Sequence, residues 1–170
     1  LILNGELPNK KQLKDFERQE RKERNLSKTL LQDIKNFPKK AHPMDVARTA
    51  VSIMGLEDKE TKDNSPKANM RKIMRIFAKT PVALAAFYRS RKGKKIISPK
   101  NNLSFSENFF YMCFGKVPNE DIVKAFDVSL ILYAEHSFNV STFTARTITS
   151  SLSDIHGAIT GAPVIAPWIS

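Results

Sequence analysis

One histidine and one asparagine lie three residues apart, where an apolar run gives way to a hydroxyl-rich segment. The segment is "SLILYAEHSFNVSTFTAR", Ser129 to Arg146, and the two residues are His136 and Asn139. The apolar run predicts a helix that ends near His136, and asparagine is a residue type that caps the start of a helix. A helix N-terminus offers free backbone N–H groups and a positive dipole end, which suit a carboxylate. The spacing fits a carboxylate site, and it fits equally well a histidine satisfied by backbone groups.

The other histidines and the cysteine form no metal or nucleotide motif. Neither Cys113 nor the three histidines have the spacing of a zinc site, and the chain has no glycine-rich phosphate loop. His42 precedes a proline at a predicted helix start, which indicates a capping or surface residue. His156 lies beside Asp154, and we expect it at the surface. These patterns assign no catalytic residue and no metal ligand.

Composition indicates a globular protein inside the cell. The 170 residues are 41% hydrophobic and 26% charged, which is enough to bury a core. The single cysteine, Cys113, lies in "FFYMCFG", which predicts a buried, reduced thiol. The apolar stretches are shorter than the roughly 20 residues that cross a bilayer. Because "LILNGELPNK" does not resemble a signal peptide, we predict a cytoplasmic location and no membrane partner.

The chain is strongly basic, with a net charge of +11 and a pI near 9.8. In "KDFERQERKER", the spacing of Glu17 with Arg21 and of Glu20 with Arg24 predicts ion pairs on a solvated helix face. The denser cluster "YRSRKGKK", Tyr88 to Lys95, is a better candidate for phosphate contacts. No nucleic-acid docking motif accompanies it, so we do not expect nucleic acid as a partner.

Helical signals run along nearly the whole chain and predict an all-α fold. Residues that start helices are Asn9, Ser27 and Pro43, while Gly55 and Gly115 are expected at helix ends. No alternating pattern is long enough to build a sheet, and no internal repeat is found.

Two of the predicted helices raise specific expectations. Pro81 should kink or divide the helix that contains it, because proline lacks the N–H of the helix ladder. The run from Ile122 to Ala134 is apolar on nearly all sides. We therefore expect it to be the central helix, inside the protein or at a subunit contact.

Five segments resemble the citrate synthase family, in particular its bacterial type II-like and 2-methylcitrate synthase branch. The most specific is "ILYAEHSFNVSTFTAR". The others are "LILNGELPNKKQL", "HPMDVARTAVSIMG", "YRSRKGKKIISPKNNLSFSENFFYMCFGKVP" and "SLSDIHGAITGA", in the family's order. The resemblance covers residues 1–162, which it identifies as part of a citrate-synthase-like large domain. Residues 163–170, "PVIAPWIS", look unrelated and are predicted to form a divergent C-terminal tail.

The resemblance implies an acyltransferase that condenses acetyl-CoA or propionyl-CoA with oxaloacetate and then hydrolyses the thioester. The histidine of the matching motif hydrogen-bonds oxaloacetate, so this role passes to His136, with Asn139 as a neighbouring pocket residue. Family members are helical homodimers with a large and a small domain. They use no metal or other cofactor, since acyl-CoA is a substrate. The segments lean toward the methylcitrate branch, but they do not choose between the two acyl-CoAs.

The departures from the family pattern concern catalysis. Family members continue into a segment of the type G-P-x-H-G-G-A-N, whose histidine stabilises the enol, and later supply a second histidine, an aspartate base and arginine clamps. Here the sequence reads "PVIAPWIS" instead. Abstraction of a proton from the acyl group needs a positioned base and enol stabilisation together. We therefore expect an internal fragment of the large domain that is inactive alone, with no catalytic residue in this chain.

Two functional hypotheses from different classes follow. The first is a citrate or 2-methylcitrate synthase, here represented by a large-domain fragment. The second is a non-enzymatic helical module, either an interaction partner or a basic protein that binds polyanions through "YRSRKGKK". The coding DNA downstream of Ala162 would separate them, because another reading frame that continues into the histidine segment would indicate a disrupted synthase gene.

Overall fold

The structure is a computed structural model that describes residues 1–134 and 139–162. Within these ranges the chain forms helices and no strand, which confirms the predicted all-α class. The helices are α1 (Lys10–Glu23), α2 (Lys28–Asn36), α3 (Pro43–Glu57), α4 (Pro66–Arg91), α5 (Phe105–Phe114), α6 (Glu120–Ala134), α7 (Val140–Ser150) and α8 (Ile155–Gly161). None of these helices combines the length and apolar character needed to span a membrane.

Helix α4 lies at the centre of the packing. It contacts α1, α2, α3, α5 and α8, and its alanine-rich second half allows close approach. Phe87 and Ala83 of α4 pack with Leu30 and Ile34 of α2 and with Met54 of α3. On another side of α4, Val82 and Ala85 pack against Met112 and Cys113 of α5. The predicted buried thiol is therefore confirmed.

The predicted helix starts are confirmed by their capping bonds. Asn9 forms a complete capping box with Gln12. The Ser27 hydroxyl accepts from the Leu30 N–H at 2.9 Å. Nδ1 of His42 accepts from the N–H of Met44, and the residue is exposed, as expected of a capping histidine. At the other end of a helix, Gly115 ends α5 with φ at 81°, a conformation that favours glycine.

The predicted end of α3 at Gly55 is wrong, and α4 is not divided at Pro81. Helix α4 continues through Pro81 without division, because its apolar residues are buried against several neighbouring helices and this packing offsets one lost N–H donor. Helix α3 continues past Gly55 to Glu57. Gly55 has a different function, since a Cβ built on it would lie 2.9 Å from Cβ of His156. The glycine thus allows α8 to approach α3 closely.

The predicted solvated pair of Glu20 and Arg24 is instead buried. Nη2 of Arg24 lies 2.7 Å from Oε2 of Glu20, and both side chains are almost completely covered. Arg24 Nη1 also donates to the carbonyl oxygens of Lys100 and Leu103, at 2.8 and 3.0 Å. The pair therefore attaches the end of α1 to the segment before α5. The pair of Glu17 and Arg21 lies at the surface as expected, with 3.4 Å between its nearest atoms.

Helix α6 is not the central helix. None of its residues is buried, and within the described ranges it packs against α5. Phe126 stacks on Phe109, and the Ser106 hydroxyl donates to the Asp127 carboxylate. Its last apolar residues remain in solvent because no other described helix covers them. Of the two predicted environments for α6, the interior is therefore excluded within this chain, and a contact with another surface stays a prediction.

Candidate functional site

Asn139 caps the start of α7. Its backbone is extended, and its side-chain Oδ1 accepts from the Thr142 N–H at 2.8 Å and from the Thr142 hydroxyl at 3.0 Å. The Phe143 N–H donates to the Asn139 carbonyl oxygen. Within the described residues, the N–H groups of Val140 and Ser141 have no hydrogen-bond partner, and Asn139 itself is exposed. The positive end of the α7 dipole, which favours an anion, therefore lies beside Asn139.

His136, the other predicted site residue, lies outside the described residues. In sequence it falls between the end of α6 at Ala134 and the cap of α7 at Asn139. The predicted pairing of His136 with Asn139 therefore stays a prediction, while the capping function of Asn139 is confirmed.

A second polar cluster connects the end of α3 with α4. Nε of Arg75 donates to Asp58 Oδ2 at 2.8 Å, and its Nη2 donates to Glu60 Oε2 at 2.7 Å. Arg71, one turn earlier on α4, donates to the same Glu60 carboxylate. These hydrogen bonds hold the pKa of Glu60 down at about 2. Glu60 is therefore ionised at any ordinary pH and cannot serve as a proton donor.

A buried lysine also hydrogen-bonds the segment that connects α3 with α4. Lys72 of α4 is completely buried, and its Nζ donates to the carbonyl oxygens of Asp63 at 2.7 Å and Thr61 at 3.4 Å. The Thr61 hydroxyl donates back to the Gly55 carbonyl oxygen. The buried ammonium group is thus paired with two carbonyl oxygens of the connecting segment. This lysine fixes the position of the segment that contains Asp58 and Glu60.

His156 on α8 completes this cluster and is not at the surface, contrary to the prediction. Only 3% of the residue is exposed. Nε2 lies 3.6 Å from Asp58 Oδ2, and Nδ1 lies 3.4 Å from Asp154 Oδ1, but neither contact has hydrogen-bond geometry. Burial lowers the pKa of His156 below its ordinary value of 6.5, although the two aspartates oppose the change. The imidazole is therefore neutral at pH 7.

The cluster borders a pocket of about 420 Å³. The floor of the pocket is apolar, and its rim carries both signs of charge. The lining residues are Met54, Glu57, Asp58, Lys59, Glu60, Arg75, Ile76, Lys79 and His156. In the part of the chain that the structure describes, no three histidine, cysteine or acidic side chains come together as a metal site would require.

The basic cluster "YRSRKGKK" is largely engaged in contacts within the protein. Nη1 of Arg89 donates to the Cys113 carbonyl oxygen at 3.1 Å, and its Nε donates to that of Lys95. Nζ of Lys92 lies 4.5 Å from the centre of the Tyr88 ring and donates to the Tyr88 hydroxyl. Arg89 therefore fixes the turn after α4, whereas Lys92 contacts the last turns of its own helix.

Sequence reasoning missed His156 and Lys72. Its prediction for His156 rested on the neighbours Asp154 and Gly157, which instead take part in capping α8: Asp154 Oδ1 accepts from the N–H groups of His156 and Gly157. A usable signal was Gly55, which lies inside α3 near its end, since a glycine within a helix often has a packing reason. Lys72 lies within α4, and no residue near it in the sequence indicates that its side chain is buried.

A comparison with protein families gives one match. The family described as "Citrate synthase, C-terminal domain" matches residues 1–165. Among curated proteins, the 2-methylcitrate synthase of Mycobacterium tuberculosis is 45% identical over 162 residues, which are 95% of this chain and 41% of that protein. The 2-methylcitrate synthase 2 of Corynebacterium glutamicum is 48% identical over an alignment of 170 residues, with 44% of that protein covered. The chain thus spans less than half the length of these relatives.

Solved structures give the same fold. The citrate synthase of Pyrobaculum aerophilum superposes with a TM-score of 0.89 at 31% identity, over 96% of this chain and 43% of that one. The citrate synthase of Thermoplasma acidophilum, solved with carboxymethyl coenzyme A and oxaloacetate, superposes with a TM-score of 0.88 at 24% identity over 96% of this chain and 43% of that one. The arrangement of helices around α4 is therefore the arrangement found in these proteins.

Proposed function

Because this chain belongs to the citrate synthase family, we propose that it supplies the oxaloacetate-binding part of a citrate or 2-methylcitrate synthase. In this proposal His136 hydrogen-bonds oxaloacetate, and Asn139 is a neighbouring residue of the same pocket. The observation that carries the proposal is the family match over residues 1–165, which includes both positions.

The geometry at the start of α7 supports a dicarboxylate ligand. Asn139 caps this end of α7, and the helix dipole favours negative charge there. A hydrogen bond from an imidazole N–H to the ketone or carboxylate oxygen of oxaloacetate would orient the carbonyl carbon for attack. Such a bond to a charged group is worth about 1.5 to 3 kcal/mol.

The reaction of such a synthase joins two substrates. A base removes a proton from the carbon next to the acyl-CoA thioester, and the resulting enol attacks the ketone carbon of oxaloacetate. Water then cleaves the thioester and releases CoA. The described residues place no base and acid together at the start of α7, so we propose that a polypeptide of these 170 residues alone does not catalyse condensation. The proposal requires no metal or other cofactor, since acyl-CoA is a substrate.

We propose propionyl-CoA as the preferred acyl donor. The support is the segments "YAEHSFN" and "HPMD", which lean toward the methylcitrate branch. Relatives named 2-methylcitrate synthase are 45% and 48% identical, whereas the citrate synthase of Mycolicibacterium smegmatis is 44% identical, so identity alone does not separate the two substrates. The proposal also includes a homodimer, as the resemblance implies, and a cytoplasmic location, which the single buried cysteine supports.

A graft tests the function. Residues 1–162 would replace the matching segment of the Mycobacterium tuberculosis 2-methylcitrate synthase, and oxaloacetate-dependent release of CoA would be measured with propionyl-CoA and with acetyl-CoA. We expect activity with both and a higher kcat/KM for propionyl-CoA. A folded graft that releases no CoA would contradict the function, and a strong preference for acetyl-CoA would contradict the acyl choice. The 170-residue chain alone, assayed in parallel, should release no CoA above a no-enzyme control.

A further inference from the structure

Helix α7 reaches the core through α8. Helix α7 packs against α8, and α8 packs against α3 and α4. The contacts of α8 with α7 and with α3 each have a glycine at a close approach. A Cβ on Gly161 of α8 would lie 2.3 Å from Cδ1 of Ile148 on α7, and a Cβ on Gly55 of α3 would lie 2.9 Å from Cβ of His156 on α8. The position of α8 on α3 therefore determines where α7, and the Asn139 cap at its start, can lie.

His156 lies where α8 meets α3, and its buried imidazole has no hydrogen bond. It faces a carboxylate at each nitrogen, from Asp58 at the end of α3 and from Asp154 on its own helix. Two cations of α4 lie near the imidazole. Lys72 acts on it through its charge, and Arg75 lines the same pocket and is paired with Asp58. The other charged groups lining the pocket beside it are Glu57, Lys59, Glu60 and Lys79.

Protonation of His156 opposes this packing. Burial is the main cause of its lowered pKa, and the nearby Lys72 charge adds to the effect, while Asp58 and Asp154 work against it. An imidazole with a folded pKa below 6.5 binds a proton more readily once it is exposed to water. The α8 contact is thus at full strength above pH 6.5 and weakens as the pH falls through the interval down to the folded pKa.

We propose that His156 is a positioning residue whose protonation releases α8 from α3 and thereby frees α7 and its Asn139 cap. The geometric basis is the buried imidazole at the tight contact of α8 with Gly55 of α3, where the nearby Asp58 carboxylate is already paired with Arg75, together with the tight contact of α8 with α7. Its consequence for ligand binding rests on the proposed function: the oxaloacetate site at the start of α7 is formed at neutral pH and loosened in mild acid.

Amide hydrogen exchange on the 170-residue chain tests the release. Exchange would be followed by mass spectrometry at pH 7.5 and 5.5 and corrected for its intrinsic pH dependence. We expect peptides from α7 and α8 to exchange faster at the lower pH, by up to about tenfold for each unit below 6.5, while α2 peptides do not change. In His156→Gln, which cannot be protonated, the difference should disappear. In the control His42→Gln, whose histidine is exposed, it should remain.

Each outcome decides the proposal. Unchanged α7 and α8 exchange in the wild-type chain would overturn it, and so would a pH effect that persists in a folded His156→Gln. If that variant does not fold, the wild-type comparison of α8 with α2 still decides. Calorimetric titration with oxaloacetate at both pH values adds a functional readout, with weaker binding expected at pH 5.5 in the wild type only. Absence of oxaloacetate binding at either pH would argue against the proposed function, while the exchange data would still stand.

Discussion

Helices α4 and α6 are both rich in apolar residues, but only one of them is buried. Nine residues of α4 are buried, whereas α6 has none. The last turn of α6 exposes Ile131, Leu132 and Tyr133 by 70% or more. Helix α4 is contacted by five described helices, and α6 packs against α5. The difference lies in the neighbours and not in the composition of the helices.

The comparison shows what an apolar helix pattern predicts. The pattern indicates that the apolar face of the helix will be buried, but it does not indicate which polypeptide segment will bury it. An exposed apolar face of this size is typical of an interaction surface. Because the matched relatives are more than twice as long as this chain, residues beyond the matched segment in those proteins are one source of cover. A second subunit is another.

The largest expected effect is on the α4 side of the molecule, at the buried pair of Glu20 and Arg24. Glu20→Gln should lower the free energy of unfolding by about 3 to 5 kcal/mol, because it leaves the buried Arg24 guanidinium without its counter-charge. The matched control is Asp15→Asn, which breaks the exposed pair with Arg18 and should change stability by less than about 1 kcal/mol. Urea unfolding followed by circular dichroism measures both. Equal effects would show that the Glu20 pair is solvated.

The same substitution in the two regions tests the comparison directly. Leu30 of α2 packs against α4 and is 1% exposed, whereas Leu132 of α6 is 70% exposed. Leu30→Ala should destabilise the chain by about 2 to 5 kcal/mol, through lost burial and a residual cavity. Leu132→Ala should change stability by no more than about 0.5 kcal/mol. A large loss at Leu132 in the monomeric chain would mean that α6 is covered.

Cys113 reports on α5, which lies between the two regions. Burial raises the pKa of its thiol to about 11 from an ordinary value of 9.0. At pH 8 the thiolate fraction, and with it the rate of labelling by a disulfide reagent, should be about 100-fold lower than for an unfolded cysteine. Labelling in the presence and absence of urea measures the ratio. Fast labelling of the folded chain would show that α5 is not held against α4.

The smallest effect concerns association through α6. We expect the 170-residue chain to self-associate or to be poorly soluble, since each leucine or isoleucine of α6 that becomes buried contributes about 1.5 kcal/mol or more. Ile131→Lys should therefore weaken association by about tenfold or more. The control is Leu56→Lys, a more exposed apolar residue at the end of α3. In light scattering, a monodisperse wild-type monomer, or an equal effect of both substitutions, would contradict this role of α6.

Local signals in the sequence predicted most of the secondary structure. Caps such as Asn9 and Ser27, and the αL glycine Gly115, depend on neighbouring residues alone, and the structure contains them. Long-range contacts were not predictable in the same way. Glu20 and Arg24 have the spacing of a surface pair, and the bonds of Arg24 to the carbonyl oxygens of Lys100 and Leu103 come from a segment that is distant in sequence. His156 became a core residue for the same reason, because α3 folds onto it from about a hundred residues earlier in the chain.

The proposed site shows a similar division. The Asn139 cap follows from local sequence and is confirmed by its hydrogen bonds to Thr142. The dependence of α7 on α8, and of α8 on Gly55, involves three segments that no local pattern connects. The assignment of oxaloacetate to His136 comes from the family resemblance.

His136→Ala in the active graft measures that assignment most directly. The apparent constant for oxaloacetate should rise at least about tenfold, because loss of a hydrogen bond to a charged group weakens binding by about 1.5 to 3 kcal/mol. The constant for acyl-CoA should change little, since the proposed contact is to the keto acid. Thermal melting of the same preparation provides the control for folding. A variant with a lower melting temperature but a normal oxaloacetate constant would contradict the account and give His136 a purely structural role.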